Sequence, residues 1–194
     1  MGVVDSPPSR AAILLLRPLA AELLSGKYFP LVTAGRDCPH SDDASAVAED
    51  APNDPPPRDG LIASAGRPEA GLLDTVRDDW FKSPVTSGQR LPIHWDFDVR
   101  GEIRRVNYFL TRHRWDPARP LSRAQFEPEP FDAVVRRGGI VSGGGSGVAA
   151  AHEVVLPDRP AGYHVLLAVC EFADRGDALY QVIDLRYRDG TPPA

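Results

Sequence analysis

Residues 93–100 read Ile-His-Trp-Asp-Phe-Asp-Val-Arg. Ile93, Trp95, Phe97 and Val99 alternate with His94, Asp96, Asp98 and Arg100, the period of two expected of a strand with one buried and one wet face. Working outward, residues 103–111 (IRRVNYFLT) are rich in β-branched and aromatic types and predict a second strand. Residues 163–172 (YHVLLAVCEF) are apolar at both parities, which predicts a central strand. Residues 179–187 (LYQVIDLRY) close the set, with Ile183, Leu185 and Tyr187 on one side. Strands separated by proline and glycine turns predict an all-β sandwich. The 20 prolines and 17 glycines argue against a helical bundle.

Upstream the signal differs. Pro18 at a first helical position, an apolar stripe of Leu19, Leu23 and Leu24, and Gly26 beyond predict one short helix. Residues 36–60 are acidic and end in Asp54-Pro55-Pro56-Pro57, which predicts a long surface loop. The glycine-rich residues 138–147 lack the Gly-Lys-Ser/Thr ending of a phosphate loop and predict a hairpin or surface loop. The expected organisation is one domain over 1–194, with a loop and helix excursion over about 11–75 and the main strands over 89–187. Composition is ordinary for a globular chain, at 42% apolar and 25% charged. A net charge of −5 offers no basic footprint for nucleic acid, and no apolar run approaches the ~20 residues that span a bilayer. Six apolar residues between Arg10 and Arg17 are too few for a secretory core. The chain is therefore expected either to be cytoplasmic as written or to have lost a leader. Cys38 and Cys170 permit one disulfide without requiring it, and Cys170 reads best as a small buried hydrophobe.

Four segments resemble the chitin-binding type-4 family, the bacterial lytic polysaccharide monooxygenases of auxiliary activity family ten. They are residues 1–11 (MGVVDSPPSRA), 59–80 (DGLIASAG…LDTVRDDW), 108–131 (YFLTRHRWDPARPLSRAQFEPEPF) and 156–185 (LPDRPAGYHVLLAVCEFADRGDALYQVIDL). The resemblance implies an immunoglobulin/fibronectin III-like β-sandwich with a long, partly helical loop region near the N-terminus. It implies binding to crystalline chitin or cellulose, secretion, and, in active members, copper-dependent oxidative cleavage of glycosidic bonds. The metal there sits in a histidine brace made by an amino-terminal histidine and a second histidine, with an axial aromatic.

Transferred residue by residue, the first ligand position falls on Met1, the second on Gly101 and the axial position on Leu179. A thioether suits Cu(I) better than Cu(II), and glycine brings no side-chain donor. The brace is expected to be vacated, so no metal or cofactor is expected. His94 lies seven residues upstream of Gly101, about 23 Å along a strand. His152 and His164 are expected to be structural, and His113 to be solvated. His40, with Cys38 and Asp42 nearby, fits no structural zinc spacing. Glu127 and Glu129 flank prolines in a turn and do not by themselves suggest glycosidase chemistry.

The expected function is polysaccharide binding without oxidation, with Tyr28 and Phe29 as candidate substrate-surface residues and helix-end packing as their rival role. Two alternatives stay open: a copper monooxygenase whose amino-terminal histidine is masked by Met1, and an intracellular interaction module on the same scaffold. The cluster Arg104, Arg105, Arg112 and Arg114 would suit an acidic partner in the latter case.

Overall fold

The computed structural model describes residues 1–30, 54–97, 101–135, 140–141, 148–173 and 175–190. In chain order the elements are β1 (Gly2–Ser6), α1 (Arg10–Leu14), α2 (Arg17–Ala20), β2 (Leu24–Gly26), a 3-10 stretch (Pro68–Asp74), β3 (Ser83–Val85), β4 (Arg90–Phe97) and β5 (Gly101–Leu110). A short 3-10 turn (Arg123–Gln125), β6 (Asp132–Val135), β7 (Ile140–Val141), β8 (Val148–Val155), β9 (Gly162–Phe172) and β10 (Asp177–Tyr187) follow.

Two sheets result. The smaller runs β1-β4-β8 and is antiparallel. The larger has the order β2-β10-β9-β5-β6, with β3 joined parallel to β10 and β7 antiparallel to β5. Leu91, Ile93, Trp95 and Phe97 of β4 point into the space between the sheets and are buried, whereas His94 is exposed. They meet Val106 and Tyr108 of β5, alternate residues of β9 (Leu166, Ala168, Cys170, Phe172) and Leu179, Ile183 and Leu185 of β10. The other face of β9 and β10 (Leu167, Val169, Tyr180, Val182) is equally buried, under Ala11, Leu23, Ile62, Leu73 and Phe126 from the loop and helix region. A strand covered on both faces has no polar parity, which accounts for the uninterrupted apolar run in β9.

The upstream helix is shorter than its pattern suggests. Pro18 does lie in its first turn, but α2 ends at Ala20. Leu23 goes to the core, while Leu24 enters β2 opposite Leu179. Pairing with β10 overrides helical propensity there. Most of residues 36–60 and of the glycine-rich stretch lie outside the described residues, as do Cys38 and His40. The final Asp54–Pro57 turn is described and carries no regular structure. Cys170 is buried between the sheets. Among the described residues no helix is long and apolar enough to cross a membrane.

Candidate functional site

Strand register brings the three transferred positions to one pole of the sandwich. Gly2 pairs with Phe97, so Met1 stands just beyond the end of β4 and packs against the inter-sheet core. A Cβ on Gly2 would lie 2.3 Å from the Phe97 ring, so only glycine permits this approach. Gly101 opens β5 two residues beyond the Ile103–Phe172 pair, and Leu179 lies near the start of β10.

Among the described residues, a cation, a thioether and a carboxylate meet at this pole. The Arg175 guanidinium lies 3.6 Å from the Met1 thioether sulfur and donates to an Asp177 carboxylate oxygen at 2.6 Å. It also sits 5.3 Å from the centre of the Phe172 ring. Leu179 is fully buried, paired with Leu24 on one side and Cys170 on the other.

The described histidines are elsewhere. His94 pairs with Ser6 and Ala151, five positions along β1 from Met1, or roughly 16 Å. His152 Nδ1 is 2.7 Å from the Tyr108 hydroxyl, which also accepts from the Trp95 indole at 3.2 Å. His164 Nδ1 is 3.1 Å from the Thr111 hydroxyl, and burial, aided by Arg159 and His113, lowers its pKa to about 4. His113 is exposed. Among the described residues no three histidine, cysteine or carboxylate side chains converge as a metal cluster.

Beside the Met1 pole lies a buried carboxylate that the sequence pattern did not flag. Glu171 is wholly inaccessible and accepts from the Arg105 Nε at 2.7 Å, the Tyr28 backbone N–H at 3.1 Å and the Asn107 amide at 3.5 Å. The bond to Tyr28 fixes a residue whose φ is +66°, a backbone state side chains seldom adopt. Tyr28 is buried, with Arg104 donating to its hydroxyl at 3.3 Å. Phe29 is a core residue whose ring meets Phe109, Phe126 and Tyr180 edge-on. Neither ring presents a face on which a sugar could stack, which corrects the expectation of a substrate surface there. The signal that could have found Glu171 is its place as the lone charge in an otherwise apolar central strand.

The opposite pole hangs on a second buried pair. Arg10 donates from Nε and Nη2 to Asp184 at 2.9 and 2.8 Å, and from Nη1 to the Leu73 carbonyl at 2.8 Å. The Tyr163 hydroxyl donates to Asp184 at 2.5 Å, and Trp80 lies against the guanidinium, 4.1 Å from ring centre. Ser9 caps α1 through the Ala12 N–H and donates to Gln181 at 2.7 Å. The Ser-Arg of the opening segment is thereby a structural anchor onto β10.

With this geometry established, comparison with known proteins places the chain. A family model described as lytic polysaccharide mono-oxygenase, cellulose-degrading, matches residues 2–185. GlcNAc-binding protein A of Vibrio cholerae serotype O1 is 36% identical over 138 residues, 71% of this chain and 27% of that protein. The chain thus spans about a quarter of the length of the curated relatives it matches. A chitin binding domain from Burkholderia pseudomallei is 37% identical, with a TM-score of 0.83 over 96% of this chain and 98% of that one. A Bacillus amyloliquefaciens CBM33 protein, solved in complex with Cu(I) after photoreduction, is 26% identical at a TM-score of 0.69, over 97% and 100% of the two chains.

Proposed function

This chain belongs to the lytic polysaccharide mono-oxygenase family, and on that premise we propose that it binds an insoluble β-1,4-linked polysaccharide, chitin before cellulose, without using copper. The preference for chitin rests on the 37% identity to a chitin binding domain and the likeness to a GlcNAc-binding protein.

One observation carries the copper-free half of the reading: among the described residues the Met1 corner holds a thioether and a guanidinium, and the Asp177 carboxylate there is already engaged by Arg175. Cu(II) prefers several imidazole or amine nitrogens in one plane, and an adjacent fixed cation raises the cost of placing a divalent ion. The described histidines are committed to Tyr108 and Thr111 or lie outside the corner. The residues present do not fit the family's metal.

Binding then falls to polar side chains. Around the buried Tyr28, Arg104 and Arg105 frame that surface while bonded to the Tyr28 hydroxyl and to Glu171.

Two measurements on one preparation test this. The protein should co-sediment with chitin, and the EDTA-stripped protein titrated with Cu(II) should give no tight stoichiometric binding and no nitrogen-rich paramagnetic resonance spectrum. Protein that stays in the supernatant with both chitin and cellulose removes the binding reading. A tight one-to-one copper complex removes the copper-free reading and directs attention to oxidative cleavage.

A further inference from the structure

We propose that the pole opposite Met1 is a second carbohydrate site, one that takes a carboxylate-bearing polysaccharide of the polyuronate class. The two poles are separated by the length of β9 between Tyr163 and Phe172, roughly 30 Å. Two open clefts of about 520 Å³ each flank the 115–120 loop at this far pole. Six cationic side chains line them against three carboxylates, in a chain whose net charge is −5.

The carboxylates are largely answered already. Asp59 pairs with Arg123 and Asp116 with Arg119. Arg77 is paired with Asp79 beside the first cleft. Lys82 is held by the carbonyls of Asp78 and Trp80 and lies 4.6 Å from the Tyr163 ring centre. Arg112 spends its Nε on the Phe126 carbonyl. Arg114 and Arg186, one in each cleft, make no ion pair among the described residues. A guanidinium with its fork free is the side chain best matched to a carboxylate, which it grips through two parallel hydrogen bonds.

The walls between those cations favour a sugar over an acidic peptide. Trp115, held by its indole N–H on the Tyr163 carbonyl at 2.7 Å and edge-on to the Tyr163 ring at 4.9 Å, is a fixed aromatic plate. Pro117 and Pro120 extend the apolar surface along the loop. Sugar rings expose an apolar C–H face to such plates while a uronate carboxylate projects from the edge. Free cations in two clefts on either side of one loop suit a ligand that repeats its charge along a chain. The sequence cluster Arg104, Arg105, Arg112 and Arg114 is split by the strand. Its first half goes to Tyr28 and Glu171, and only its second half reaches these clefts.

The test is calorimetric titration of the full chain with a galacturonate oligomer at low ionic strength, with poly-glutamate and a neutral chitin oligomer as comparisons. Galacturonate should bind more tightly than poly-glutamate. Arg114→Ala combined with Arg186→Ala should weaken it about tenfold or more, as expected for losing two charge-assisted contacts. The complex should also weaken in about 0.3 M salt. Chitin co-sedimentation by that double variant should be unchanged, so failure here is separable from failure of the chitin reading. No galacturonate binding at low salt, equal affinity for poly-glutamate, or an unaltered affinity in a folded double variant would each overturn the proposal.

Discussion

The two poles of the sandwich use the same residue type to different ends. At the Met1 pole, Arg105 and Arg175 are consumed by Glu171 and Asp177, carboxylates on the adjoining ends of β9 and β10. At the far pole, Arg10 is buried on Asp184 beneath the surface, while Arg114 and Arg186 stand at the rim without carboxylate partners among the described residues. The difference teaches that the register of β9 and β10 decides which charges are structural, and that the loops beyond them decide which remain for a ligand. The widest gap between the poles should appear in stability. Arg10→Met would leave Asp184 buried beside Tyr163 without its cation, and breaking one side of a buried pair costs about 3–5 kcal/mol. Equilibrium urea unfolding should show that loss as a lower midpoint with an unchanged slope. A loss below about 1 kcal/mol would mean the pair behaves as a surface bridge and that the far pole is not anchored there.

The same contrast explains how much could be read before the structure. The strands were legible because β4 alternates and β9 does not, and each pattern has one burial that produces it. At the Met1 pole the sequence shows only residue types, a thioether at Met1 and no side chain at Gly101. What gathers around Met1 is not visible there. Arg175 lies two residues before Asp177, and nothing in that spacing says that its guanidinium turns toward Met1. Tyr28 and Phe29 are candidates for a sugar surface as the aromatics that stand just before the acidic loop. The three ring contacts to Phe29 come from strands and loops up to about 150 residues away, and local pattern carries no such information. The basic cluster around β5 was visible as composition, but a ten-residue strand carries its two halves to different poles.

A second, smaller effect is tied to pH. His164 lies near the start of β9 beside the far pole, 5.3 Å from the Tyr187 ring centre and bonded to Thr111. Burial, with Arg159 and His113 nearby, disfavours the imidazolium and pushes its pKa down to about 4 in the folded chain, from the ordinary 6.5. Between these values the unfolded chain takes up a proton that the folded chain does not. The stability is therefore full above pH 6.5 and falls as pH drops toward 4, on the order of 2 kcal/mol at pH 4.5. Urea midpoints measured from pH 7 to 4.5 should fall accordingly, and His164→Gln should flatten that decline while costing some stability at pH 7. An equally steep decline in His164→Gln would place the titrating group elsewhere.

The smallest effect belongs to the Met1 pole. Arg175 is about one-third exposed and Asp177 less so, so their pair is a partly solvated bridge worth about 0–1 kcal/mol. Arg175→Met should shift the urea midpoint by no more than that, several-fold less than Arg10→Met, although both replacements remove an arginine from a carboxylate on β10. Removing the guanidinium also lowers the electrostatic barrier to a cation beside Met1. If charge alone kept Cu(II) out, the variant would gain stoichiometric affinity in a calorimetric titration. If missing donors keep it out, as the positions of His94, His152 and His164 argue, copper affinity stays at the background of surface histidines. The second outcome is expected, because lowering repulsion supplies no nitrogen to a corner whose described groups around Arg175 are a sulfur, a carboxylate and an aromatic ring.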